Sequence, residues 1–171
     1  MENFTNDTID TKQLPRFEAV EMTKLHRFYW KALLINTLIV MIIVGIALGF
    51  ASYNIEEWVE YQMEISVGYV VFTALLLLFL RLGFKKKAYA FREHDVIYRR
   101  GVIATNTIVI PYNRVQHVSL HEGFVSRIFG LAEVEIFTAG GASSDIGIPG
   151  IAKSEAENIK QLLMGKIQKT L

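Results

Sequence analysis

The chain has 171 residues, 18 Lys and Arg against 17 Asp and Glu, a formal net charge of +1, and no Cys. The missing thiols exclude disulfides, thiolate catalysis and cysteine metal sites, and the net +5 of residues 81–171 is concentrated beside apolar runs and not spread over a free face, which argues against a nucleic-acid binder. The length leaves room for one modest soluble core beside any other segment.

Residues 1–31 carry five basic and five acidic side chains and few apolar clusters before Met22, which reads as a partly ordered cytoplasmic tail. Two long apolar runs follow, at 32–52 and 65–80, and no Lys or Arg lies between Ala32 and Leu80. About 20 helical residues cross a hydrocarbon core of roughly 30 Å. The first run meets that length alone. The second meets it once Arg81 to Phe84 are counted as a snorkelling end. A pair of buried helices in a soluble protein accounts for neither the charge-free lengths nor what surrounds them. The expectation is a transmembrane hairpin over 32–84, with an outer loop at 53–64.

The loop carries Glu56, Glu57, Glu60 and Glu64 and no positive charge, whereas Lys24, Arg27 and Lys31 precede the first run and Arg81, Lys85, Lys86 and Lys87 follow the second. Under the positive-inside bias the loop faces outward and both termini are cytoplasmic. Trp30 and Trp58 sit where interfacial anchors belong. A cleaved leader is disfavoured, because 31 residues before an apolar stretch of about 20 is too long for a secretory signal. The first run reads as a retained anchor. It holds Gly45 and Gly49 at GxxxG spacing, which suits close packing either on a second copy or on the other helix of the hairpin. Asn36, near its inner end, reads as interfacial.

After Lys87 the period changes. Short runs rich in β-branched and aromatic residues, at 88–92, 95–100, 102–110, 114–120, 133–139 and 145–148, alternate with Gly-, Pro- and Asn-containing breaks. They predict consecutive antiparallel strands. Glu93 and His94 alone join the first two, so that pair forms a hairpin. Arg99 and Arg100 then return to the level of Ala88 and Tyr89, beside Lys85, Lys86 and Lys87, so that either the five cations meet lipid headgroups or Lys85, Lys86 and Lys87 serve only to fix topology. Phe124 to Leu131 predict a short helical turn stopped at Gly130. From Ser154 the pattern is helical, with a Ser154–Glu157 capping box, Ile159, Leu163 and Ile167 on one face, and Lys166 and Lys169 in the last turns. Strands followed by one amphipathic helix predict an α+β domain over 85–171, a bent sheet covered by its C-terminal helix.

The stretch IPYNRVQHVSLHEGFVSRIFGLAEVEIFTAGG (110–141) resembles the signature of the bacterial pleckstrin-homology-like domain in its membrane-anchored, YdbS-like form. The matching positions are Ile110, Pro111 and Tyr112, then Arg114, Val115 and Gln116, then Arg127, Gly130, Leu131 and the 138–141 end. The resemblance implies a pleckstrin-homology-like fold behind two transmembrane helices, and no catalytic motif. It also implies a partner class: a larger membrane protein carrying several such domains. Read as residues, Pro111 ends a strand, Tyr112 and Arg114 open the next, and Arg114 reaches backbone carbonyls or Glu133 or Glu135. The motif reads as mainly structural, with ligand or partner contact as the alternative.

No constellation supports catalysis or a cofactor. His117 and His121 with Glu122 lie on a strand without a further clustered ligand, so no metal is expected. Ser119 and Ser126 have no base, and 140–147 lacks the Lys of a phosphate loop and reads as a hairpin turn. The expectation is a non-enzymatic membrane-anchored binding or scaffold module of the bacterial cytoplasmic membrane. It contacts the phospholipid bilayer, a membrane partner or a second copy, and not nucleic acid. The alternative is a subunit of an oligomeric transporter or envelope-stress complex.

The charge pattern makes a direct prediction. A reporter fused after Glu57 should be active only outside the membrane, and one fused after Leu171 only inside. Outside activity of the C-terminal fusion would overturn the orientation.

Overall fold

The structure is a computed structural model that describes residues 20–139 and 146–168. In chain order the elements are β1 (Thr23–Lys24), α1 (Arg27–Asn54), α2 (Glu56–Val59), α3 (Gln62–Lys86), β2 (Ala88–Phe91), β3 (Asp95–Arg100), β4 (Asn106–Pro111), β5 (Val115–His121), α4 (Phe124–Ile128), β6 (Leu131–Thr138), β7 (Ile146–Ala152) and α5 (Lys153–Gln168). A single 3-10 turn, Tyr112–Arg114, separates β4 from β5.

Helices α1 and α3 are the two membrane-spanning segments, and nearly all their apolar side chains face outward. At 28 residues α1 is about 42 Å long, more than a hydrocarbon core needs. Its surplus is the first two turns, where Ala32 is buried against the domain. Hydroxyls in the spans are satisfied locally: Thr37 donates to the Leu33 carbonyl and Thr73 to that of Tyr69, each at 2.8 Å. Between helices, the Tyr69 hydroxyl donates to the Met41 carbonyl and Gln62 to that of Ser52. A Cβ on Gly45 would lie 3.1 Å from the Tyr69 hydroxyl, whereas one on Gly49 would meet nothing within 4 Å. Gly45 thus admits the other helix of the same hairpin, and Gly49 lines a cleft of about 460 Å³ toward the loop end.

The domain is built from two antiparallel sheets, β1-β2-β3-β4 and β5-β6-β7. Alternation sets their inner faces: Val96 and Tyr98 on β3, Val134 and Ile136 on β6, and Ile146 and Ile148 on β7 join one buried cluster. Helix α5 closes it with Ala156, Ile159 and Leu163, spaced for one helical face. Tyr89 donates to Glu155 at 3.0 Å, tying β2 to the first turn of α5. Leu25, from the segment before α1, is part of the same core.

Several boundaries differ from the sequence reading. The supposed tail enters the fold at Thr23, which pairs with Tyr89 as an edge strand, and α1 starts at Arg27, not at Ala32. The third strand begins only at Asn106, because Gly101 at φ +124° starts a tight turn in which any Cβ would collide with the Ala104 carbonyl. Tyr112 and Arg114 do not open β5. Tyr112 turns inward, with its N–H donating to the His94 carbonyl and its hydroxyl to the Arg92 carbonyl. Ser154 is no cap: β7 runs to Ala152, and the Lys153 N–H is already satisfied by the Gly130 carbonyl at 2.9 Å. Gly130, at φ +64°, does stop α4. The readings of residues 1–19, of the turn at 140–145 and of Lys169 lie outside the described residues.

Leu163 is 1 % exposed at the centre of the α5 contact. Leu163→Ala should cost about 2–5 kcal/mol, enough to lower the Tm of a domain this size by about 8 °C or more. Thermal unfolding of the full chain in detergent tests this, and a shift within a degree of the parent would mean that α5 is not docked.

Candidate membrane-surface site

The domain leaves the membrane through one residue. Helix α3 ends at Lys86, β2 starts at Ala88, and only Lys87 lies between. Because β2 and β3 pair Ala88 with Arg99 and Phe91 with Val96, β3 returns to the point where α3 emerges. Arg99 therefore stands opposite Ala88, and Arg100 lies one position further, level with Lys87. The five basic residues read from the sequence share one end of the domain, but they are not equivalent. Lys85, Lys86 and Arg100 are exposed, while Lys87 and Arg99 are half-buried. Lys86 Nζ donates to the Val102 carbonyl at 2.6 Å, fastening the β3–β4 loop to the helix end. Lys87 is turned inward, where burial lowers its pKa and the charge of Glu133 pulls the other way.

The other helix is stitched to the domain as firmly. The His26 N–H donates to the Gly150 carbonyl at 2.9 Å, and the His26 ring caps α1 by accepting from the Phe28 N–H. Tyr29 packs directly on Gly150, which is at φ +67° and has no room for a Cβ against that side chain. Phe28 meets Phe129 at 6.1 Å, and Trp30 and Tyr29 both meet Phe84 of α3. Arg81 lies over the Trp30 ring at 4.8 Å.

Between α1 and the second sheet is a polar cavity of about 190 Å³, lined among others by Asn36, His121, Ser126, Glu133 and Gly150. Asn36 thus faces the domain. The Glu133 carboxylate packs where a side chain on Gly147 would collide with it. It forms no side-chain hydrogen bond and no ion pair among the described residues. Burial raises its pKa, the neighbouring Glu135 adds to that, and His121 and Lys87 oppose it. Tyr98 is pushed up to about 12, chiefly by burial.

The motif residues take structural places. Pro111 ends β4, and Tyr112 is the core tyrosine already described, its pKa pushed to about 12 by burial. Gln116 is exposed at the irregularity where β5 skips from Val115 to His117 in its register with β6. Arg127 is exposed on α4, and Gly130 makes the turn after it. Arg114 does not meet Glu133 or Glu135. The register pairs Val115 with Thr138 but His121 with Glu133, so Arg114 is at the far end of the strand. Its carbonyl accepts from the Ala139 N–H, and Glu135 accepts from Ser119 at 2.6 Å. His117 stacks on Phe137 at 4.0 Å. No group of three or more metal-ligating side chains occurs among the described residues.

Sequence reasoning missed the electrostatic influence of Lys87 and Glu133 on each other across the junction and the seat of Tyr29 on Gly150. Glu133 alternates with buried Ala132 and Val134, so its half-buried face was legible, but nothing in one strand shows which helix will cover it.

Because Glu133 is harder to ionise in the folded chain than in the unfolded one, its ionisation destabilises the fold at neutral pH and ceases to do so on acidification. Glu133→Gln should therefore raise the Tm of the full chain at neutral pH. That gain should shrink as pH falls through the carboxylate's folded pKa and vanish below the unfolded value. Equal Tm values at neutral pH would show that Glu133 is not desolvated.

A family model described as "Bacterial PH domain" matches residues 31–167 of the chain. The UPF0699 transmembrane protein YdbS of Bacillus subtilis (strain 168) is 22% identical over 128 residues, covering 75% of this chain and 78% of that protein. The UPF0699 transmembrane protein YdbT of the same organism is 28% identical over 54 residues, covering 32% of this chain and only 11% of that one. No solved structure matches significantly. With two transmembrane helices, two antiparallel sheets and a closing C-terminal helix beneath a match of that extent, the chain belongs to the bacterial PH domain family.

Proposed function

We propose that the chain is a non-catalytic, membrane-anchored binding and scaffold module of the bacterial cytoplasmic membrane. Both termini are cytoplasmic, and the domain rests against the inner leaflet. Its cation cluster engages anionic headgroups, and its free surface serves a membrane partner. The observation that carries this is the β2–β3 register, which returns Arg99 and Arg100 to the emergence point of α3 beside Lys85 and Lys86. Flanking lysines serve topology in any membrane hairpin, but Arg99 and Arg100 arrive there by folding and are not needed for insertion. Each cation near an anionic surface contributes about 1 kcal/mol, screened by salt. Lys87 has a separate part, since it is half-buried in the junction, where burial disfavours its charge and Glu133 acts on it only at a distance.

The partner we propose is a larger membrane protein with several similar domains. That class is what the resemblance to membrane-anchored pleckstrin-homology-like proteins implies. A second reading, a subunit of an oligomeric transporter or envelope-stress complex, is favoured by one feature. The cleft between α1 and α3, toward their loop end, is lined by Gly49, Ser52, Gln62 and Ser66, where another helix can pack. Mass measurement of the detergent-solubilised chain separates the readings, because two helices enclose no pathway and a monomer excludes one.

The headgroup reading is tested on the full chain, because a fragment beginning at Lys85 would lose β1, Leu25 and Tyr29. In mixed nanodiscs at low salt the parent should enrich anionic lipid around itself. Arg99→Ala with Arg100→Ala should weaken that preference by about tenfold or more, with the fold intact by circular dichroism. Unchanged enrichment would leave the cluster with a topological role only.

A further inference from the structure

Among the described residues outside the spanning helices and the loop joining them, the three most exposed large apolar side chains are Ile103 at 90 %, Phe124 at 77 % and Ile128 at 69 %. Scattered exposed hydrophobics are ordinary, and position is what distinguishes these. All three stand beside the domain-side ends of the transmembrane helices.

Ile103 sits in the tight turn begun by Gly101. That turn is pinned to α3: Val102 would contact a Cβ on Gly83 at 3.3 Å, and its carbonyl holds Lys86 Nζ. Phe124 and Ile128 are four residues apart and share one face of α4. The roll of α4 is set by Val125, buried at 4 %, and by Phe129 against Phe28. Both fixings leave Phe124 and Ile128 outward. Gly123 and Ser126 of this segment line the same cavity as Leu33 and Asn36, so α4 lies alongside the stretch of α1 that enters the bilayer. Basic residues attend both places, Lys86 and Arg100 at the turn, Arg127 and Lys31 near α4. Outward apolar side chains among Lys and Arg suit the boundary between headgroups and acyl chains.

We infer that the domain is seated in its own membrane by two apolar prongs, Ile103 on one side and Phe124 with Ile128 on the other, which insert into the interfacial layer of the leaflet beside the domain. This goes beyond the headgroup reading, since it requires apolar insertion and no anionic lipid. Continuity with the spanning helices selects the bilayer as the occupant over a soluble partner.

The absence of Cys makes the test direct. Single reporters at Thr105→Cys, in the turn of Ile103, and at Leu162→Cys carry an environment-sensitive fluorophore in the full chain. Leu162 is distal, because α5 starts at Lys153, bonded to the Gly130 carbonyl after α4, and ends where Lys166 donates to the Glu93 carbonyl, at the turn remote from α3. In vesicles of neutral lipid alone, the Thr105 label should emit at shorter wavelength and be quenched at least threefold more by lipid with a quencher high on its acyl chain than the Leu162 label. Ile103→Asp with Phe124→Asp should abolish most of that difference and leave the Leu162 label unmoved. Both changes are at exposed positions, so the fold is retained, as an unchanged Tm in detergent would verify. A Thr105 label as wet as the distal one overturns the inference. So does a label that is shielded yet unquenched by lipid, which would mean that protein covers the prongs. Insertion that persists while Arg99→Ala with Arg100→Ala abolishes no anionic preference would sink the headgroup reading and leave the prongs standing.

Discussion

Everything in this molecule depends on the absence of slack between membrane and domain. Helix α3 passes into β2 through Lys87 alone, and the chain before α1 is held on both sides. Thr23 and Lys24 pair with β2, and the His26 N–H is bonded to Gly150. A single connection would permit rotation about its own axis. Two, on different sheets, do not. Gly150 is the fastening point: its left-handed φ and lack of a side chain let Tyr29 lie directly on β7, and any Cβ there would lift α1 off the domain.

That fixed geometry explains an otherwise costly feature. Setting α1 down on the second sheet covers Glu133 and partly covers Lys87, removing both charges from bulk water. Desolvation then outweighs their mutual attraction at each site, since Glu133 is raised and Lys87 lowered despite opposite charges nearby. Breaking one member of such a set leaves the other charge in the same dry place, whereas neutralising the carboxylate removes its own cost. The cavity beside them, with Asn36 and Ser126 on its wall, keeps that cost moderate by leaving polar groups and space at the junction.

The fold was legible wherever one periodicity ran uninterrupted. The charge-free runs gave both spanning helices, and the two-residue link at Glu93 and His94 gave the β2–β3 register, since the pleat leaves little freedom once the turn is known. The inward face of α5 followed from the spacing of Ile159 and Leu163. Illegible features were those decided by contacts between distant segments. A two-residue strand at Thr23 carries no pattern of its own and exists only because β2 offers an open edge. Apolar residues at 102–104 looked like strand because periodicity does not distinguish a β-branched residue in a ladder from one at a turn tip. Of the five cations, the sequence showed proximity but not that Lys87 is half-buried within electrostatic reach of Glu133, because that carboxylate comes from a strand more than forty residues away.

A rigid attachment also changes what the surface chemistry has to do. A domain on a flexible tether must supply its own membrane affinity and orient itself anew at each encounter. Here the spanning helices supply the affinity, and the two junctions supply the orientation before any lipid is contacted. Cations worth about 1 kcal/mol each would be weak anchors for a free domain. On a pre-oriented one, in the headgroup role proposed above, they would act on which lipids gather beneath it and not on whether it binds. The same reasoning leaves the faces away from the bilayer, including the open edge of β4 and the outer side of α5, presented at a constant height and angle. Constant presentation suits the scaffold role proposed above, because the entropy of orienting a docking surface would then be met once, at folding.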